Sequence, residues 1–235
     1  RCQILVWVIF GISLQLSGYD STNNGEFFVS TKLNLEDHTF KSAKLKSVVD
    51  EAVTFFLTTP VHPLPPEDKF DGGGVYALYY FGDFDLYSEI SAKNQKEIEH
   101  PIYIGKAVPS GWRTGRTNIA VSSVLYNRLR EHSRSVKQVS NLRLDDFKCR
   151  FMILDDVEAD LVVPVEAEMI RKYKPLWNRV IDGFGNHDPG KGRYEQAPSE
   201  WDALHPGRNW VSRLKGDPPE IDNVKDKVEN YSKDL

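Results

Sequence analysis

Sulfur is scarce in this chain: its 235 residues include two cysteines, Cys2 and Cys149, and two methionines. Two thiols cannot staple a chain of this length, and with no paired Cys or His spacing a zinc module is excluded as well. Free thiols suit a reducing cytoplasm, the expected compartment. There is no Gly-x-Ser-x-Gly element of a serine hydrolase. The run Gly185 to Gly192 nearly spells a phosphate loop, but glycine stands where Ser or Thr is required. It also follows a helix and a proline, where a strand should lead in. Positive charge is short overall, with a net charge of −4, which alone argues against a nucleic-acid partner. That average hides a segregation. Residues 101–215 hold 19 Lys+Arg against 14 Asp+Glu, and 101–144 hold eight basic residues against one acid, Glu131. A concentrated basic surface is what phosphate binding needs, whatever the net charge.

Long apolar runs are limited to one, Cys2 to Leu14. It is too short for a comfortable membrane span. It resembles a signal-peptide core, yet only Arg1 precedes it and no small-residue cleavage site follows. The chain begins with arginine, and its methionines are Met152 and Met169. Residues 1–28 are therefore read as a non-domain leader or upstream readthrough, with initiation near Val29; a genuine apolar leader is the alternative.

The remainder can bury one substantial core. Leu45, Val48, Val49, Ala52, Val53 and Phe56 recur at helical spacing, so Ser42–Leu57 is expected to be an amphipathic helix that Pro60 ends. The segment Pro63-Leu64-Pro65-Pro66 reads as an extended connector. Strands are expected at Val75–Tyr80 and Ile102–Gly105, paired as a hairpin across a polar, helical or irregular insertion at 83–100. A basic loop, 107–119, leads to a helix over Ser122–Val136 with Leu125 and Leu129 on its core face. Alternation from Phe147 to Leu154 predicts another strand. Helices follow over Val162–Tyr173 and, beyond Pro218-Pro219, around Ile221–Tyr231. The pattern is α+β, a small mainly antiparallel sheet flanked by helices. It divides into a helical arm and connector (29–73), a core (74–180) and a C-terminal extension (181–235).

The residues that carry chemistry fall in the core. Tyr76 and Tyr103 sit on the two hairpin strands. Arg128 and His132 share a helix face at i, i+4 spacing. Glu166 is a lone carboxylate on the next helix. Phosphodiester hydrolysis needs an activated water, neutralised phosphate charge and a stabilised leaving oxygen, and this set supplies all three. Tyr76 is the candidate general base. A free phenol with a pKa near ~10 is mostly protonated at neutral pH, and lowering it by ~3 units takes roughly 4 kcal/mol. Arg128, His132 and a divalent cation are expected to supply that, with His132 accepting the Tyr76 proton or hydrogen-bonding it. Arg128 suits the scissile phosphate because a guanidinium binds two oxygens at once. Glu166 is the expected ligand for Mg²⁺, with Mn²⁺ as substitute, since Mg²⁺ completes its shell with water and phosphate. Tyr103 positions water or phosphate, Asn178 orients the phosphate or the strand ends, and Lys106 contacts phosphate. Each has a plainer reading: strand aromatics as core, Arg128 and His132 as a solvated basic face, Glu166 and Lys106 as surface charges, Asn178 as a structural cap.

Gly74-Val75-Tyr76 and Tyr103-Ile104-Gly105 resemble the paired motifs of the GIY-YIG endonucleases, with Val75 where the family name has isoleucine. The likeness extends to Thr59-Pro60-Val61-His62, Lys106-Ala107-Val108-Pro109, Lys174-Pro175-Leu176-Trp177-Asn178, Asp182-Gly183-Phe184-Gly185-Asn186-His187 and His205-Pro206-Gly207-Arg208. It covers roughly residues 40–215, and it is closest to the type II restriction branch that cuts CCGCGG. The resemblance implies a GIY-YIG core, double-stranded DNA as substrate, a homodimer matched to the palindrome, and a protective DNA methyltransferase in the host. For a GC-rich site, Arg113, Arg116, Lys191, Arg193 and Arg208, with Asn186 and His187 beside them, are the candidate readers of guanine edges or contacts to phosphate. The competing functions are a structure-specific or homing nuclease of the same family and a DNA-binding regulator without catalysis. An unrelated ligand-binding module would leave the motif series to coincidence.

Overall fold

The computed structural model describes residues 33–109, 111 and 122–235. The expected leader and the candidate DNA contacts Arg113 and Arg116 lie outside the described residues. Residues 33–41, taken by themselves, hold a single 3-10 turn, Leu35–His38. Residues 42–235 form one compact unit. Within it, among the described residues, the fold is α+β with four strands and seven α-helices.

Helix α1 (Ala43–Thr58) begins where Ser42 accepts a hydrogen bond from the Leu45 amide, the usual N-cap arrangement. Its buried stripe is Val49, Val53 and Phe56. Leu45 and Val48, which share the apolar periodicity, remain exposed. Strand β1 (Val61–Pro63) pairs antiparallel with β4 (Phe147–Ile153), Val61 opposite Arg150 and Pro63 opposite Lys148. This strand corrects the expected connector, which starts only after Pro63. A proline is tolerated there because β1 is an outer strand of the sheet.

Strands β2 (Gly74–Tyr80) and β3 (Tyr103–Ala107) form the expected antiparallel pair, and the sheet order is β1-β4-β2-β3. Helix α2 (Ser88–Lys96) fills the connection. All seven residues of β2 are buried. Its alternation divides them between two cores: Tyr76, Leu78 and Tyr80 face one, Val75, Ala77 and Tyr79 the other. On the first side lie α3 (Val124–Gln138), the short α5 (Leu176–Arg179) and α6 (Glu200–Leu204), and α7 (Ile221–Lys233). On the second lie α1 and α4 (Val162–Tyr173). The C-terminal residues thus complete the same core as the motif strands, through Trp201, Leu204, Val224 and Val228.

Two glycines are set by close approach of strands. A Cβ at Gly74 would collide with the Met152 carbonyl of β4. A Cβ at Gly105 would stand 2.6 Å from Cζ of Tyr76, its partner across the sheet. The second glycine is what allows the Tyr76 ring to lie over β3.

Candidate active site

One cleft of about 630 Å³ collects Tyr76 from β2, Tyr103 and Lys106 from β3, Arg128 and Glu131 from α3, Glu166 from α4, and His187 from the loop after α5. The sheet explains why. Tyr103 faces the same side as Tyr76, whereas Lys106, three residues on, points to the α4 side and reaches Glu166. The cleft therefore lies over the open edge of β3, between a helix on each face.

Tyr76 forms its floor and has no solvent-exposed surface. Its hydroxyl lies 2.6 Å from Nε2 of His132, itself buried one turn behind Arg128. The rings of Tyr76 and Tyr103 are 6.2 Å apart, and both contact the His132 imidazole. Burial pushes the Tyr76 phenol well above its ordinary pKa, and Tyr103 adds to the rise; the Arg128 guanidinium works against them without winning. Arg128 thus lowers the phenol as expected, but burial outweighs it and favours the neutral form of Tyr76. Burial likewise holds His132 well below the ordinary imidazole pKa, with Arg128, His187 and Arg208 pushing the same way. It is a neutral imidazole.

Arg128 is fixed on three sides. It donates to Glu131 Oε2 at 3.0 Å and to the Gly185 carbonyl at 2.9 Å, and it meets His187. Glu166, with 15% of its side chain exposed, pairs with the Lys106 ammonium. Lys106, expected at a phosphate, is thus the resident counter-ion of the candidate metal ligand. No group of three His, Cys, Asp or Glu residues suited to a metal occurs among the described residues.

Residues 68–232 match the family model described as the Eco29kI GIY-YIG domain. The chain belongs to that restriction endonuclease family. It carries the family's DNA-nuclease domain over most of its length, on the α+β fold described above. No curated protein matches it. Among the described residues no helix is long and apolar enough to cross a membrane.

The nuclease domain does not bring every candidate to the cleft. Asn178 uses its amide at both ends on Ile104, accepting from its N–H and donating to its carbonyl, each at 2.8 Å. It finishes the free edge of β3 as a further strand would, which is the strand-end role of the two expected for it. Arg208, a candidate DNA reader, is buried against Asp202 and three loop carbonyls. Its donors face inward, which removes it from direct DNA contact. Asn186, Lys191 and Arg193 are exposed on the loop that carries His187. Glu131 joins the site as well; its sequence signal is that it is the one acid of the basic stretch 101–144 and lies at i+3 from Arg128. Phe184 stacks on His132, with ring centroids 4.6 Å apart and planes 16° from parallel; nothing in its spacing marks it.

Proposed function

We propose that the chain is a type II restriction endonuclease that hydrolyses double-stranded DNA at a short GC-rich palindrome, CCGCGG, through a water activated by Tyr76. The observation that carries this reading is the 2.6 Å Tyr76–His132 pair at the floor of a cleft shared with Arg128 and Glu166. A phenol held neutral is a poor base by itself. Beside a neutral imidazole it can take a proton from water at Oη while passing its own to His132 Nε2, so no isolated phenolate has to form. Arg128 then holds the attacked phosphate, and Tyr103 limits where the water sits. Lys106 leaves Glu166 for a phosphate oxygen as DNA enters.

Glu166 suits one Mg²⁺, or Mn²⁺ in its place: its carboxylate borders an open cleft and already attracts a cation, Lys106. One carboxylate completed by waters and phosphate is ordinary Mg²⁺ coordination. When bound, the ion offsets charge on the scissile phosphate and the leaving oxygen. One such cleft cuts one strand, so cleavage of a palindrome calls for a homodimer and the host for a DNA methyltransferase that protects the site. Lys191 and Arg193, exposed beside His187 with Asn186, are the proposed contacts to DNA.

The test is a pair of duplexes, one bearing CCGCGG and one scrambled, incubated with protein and Mg²⁺. Cleavage confined to the first supports the reading. Cutting only at branches or lesions points to a structure-specific nuclease, and binding without cutting to a regulator; either overturns it.

A further inference from the structure

Arg208 is buried, and a buried ion pair is a poor source of stability by itself. Its surroundings suggest another purpose. Nε lies 2.6 Å from Asp202 Oδ1, and both side chains are 1% exposed. Nη1 donates to the carbonyls of Phe184 and Asn186 at 3.2 and 3.1 Å, and Nη2 to that of Gly183 at 2.9 Å. The guanidinium lies between the rings of Trp201 and Trp210, 4.7 Å from each centroid. One side chain thus gathers three carbonyls of an irregular loop that no strand or helix would satisfy. Only a planar fork of donors can do so; a lysine is a point charge.

The loop so held is what touches the reacting groups. The Phe184 ring lies flat on His132. The Gly185 carbonyl accepts from Arg128, and a Cβ at Gly185 would come within 2.7 Å of the Tyr103 hydroxyl. His187 meets Arg128 from the other side. We propose that Arg208 is a positioning residue for DNA cleavage, acting through residues 183–187 to hold His132 and Arg128 in place; this rests on the nuclease reading above. Around His132 the titratable and charged groups are Tyr76, Tyr103, Arg128, His187 and Arg208. A loosened loop admits water to an imidazole that burial keeps neutral.

The experiment compares wild type with Arg208→Lys, Arg208→Met and Phe184→Leu, the last leaving the ion pair intact while cutting the link to His132. Three quantities are read: kcat on duplex DNA with Mg²⁺, Kd for the same duplex without Mg²⁺, and the His132 titration by NMR on free protein. Displacements near 1 Å at a reacting centre cost about a hundredfold in rate. In the folded variants kcat is expected to fall about that much, Kd to hold, and the His132 pKa to rise. Should Arg208→Met fail to fold, Arg208→Lys, which keeps the charge beside Asp202, carries the test, and Phe184→Leu reports separately on the link from the loop to His132. Unchanged kcat and an unmoved His132 in folded Arg208→Lys and Phe184→Leu would overturn the proposal. A weakened Kd with kcat retained would instead make Arg208 a DNA contact, which also overturns it. If wild type cuts no DNA the nuclease reading fails, while the His132 titration still decides whether the loop is held as described.

Discussion

Substituting Gly105 by alanine places a methyl group 2.6 Å from Cζ of Tyr76. Ordinary van der Waals contact begins at 3.4 Å. The ring must therefore retreat by about 0.8 Å, or β3 must lift by as much. Neither is easy. Tyr76 is fully buried between its sheet neighbours and His132, and β3 is tied to β2 on one edge and to Asn178 on the other. Overpacking of this kind costs about 1–3 kcal/mol of stability, which a folded unit of this size can survive. The catalytic effect is larger in proportion. A displacement near 1 Å at a reacting group costs about 10²-fold in rate, and here it falls on the hydroxyl that meets His132. Single-turnover cleavage of a duplex in Mg²⁺, with DNA affinity and thermal unfolding measured in parallel, should show kcat down about a hundredfold with Kd unchanged. A Gly105→Ala protein that is folded and cuts within a few-fold of wild type would refute the claim that this glycine exists to seat Tyr76.

Other consequences can be checked as directly. Tyr76→Phe should lower kcat by about 10²–10⁴, the usual worth of a positioned proton acceptor, and destabilise the fold by about 1–3 kcal/mol because His132 Nε2 loses its partner; Kd for DNA should hold. His132 titrates well below the ordinary value and His205 is lowered by burial to about 3. In each case the folded state resists a proton that the unfolded chain accepts near pH 6.5. The penalty is absent above pH 6.5 and grows as pH falls toward the folded pKa values, by about 1.4 kcal/mol per pH unit for each imidazole. Denaturant titrations at pH 6.5 and 5.5 should differ accordingly, and His205→Asn should remove about half the difference. Lys191→Ala and Arg193→Ala should each reduce the slope of log Kd against log salt by about 0.9 if they meet phosphates; an unchanged slope with relaxed site preference would make them base contacts.

The sequence was most readable where one physical rule governs a residue. Aromatic and branched composition marked β2 as a strand, and i, i+4 spacing placed Arg128 and His132 together on α3. It was least readable where the answer depends on a distant partner. Arg208 has the composition of a DNA contact, and only the fold reveals that Asp202 and three carbonyls enclose it. Asn178 is equally ambiguous until the unpaired edge of β3 lies beside it. The state of Tyr76 is a matter of burial against charge, and depth cannot be judged from a motif. Glu131 is foreshadowed by its i+3 spacing from Arg128, whereas Phe184 belongs to the site through a contact with His132 that no local pattern announces. Strand β1 is three residues ending on proline, too short for alternation to register.

The most direct test of the account is a digest of phage-sized duplex DNA by the purified protein in Mg²⁺, run beside Glu166→Ala and an EDTA control. Discrete fragments from wild type alone, with none from the variant or the chelated sample, are the predicted result, and their ends give the site. Intact DNA in all three lanes, with binding retained by both proteins, would contradict the assignment of this cleft to metal-dependent cleavage.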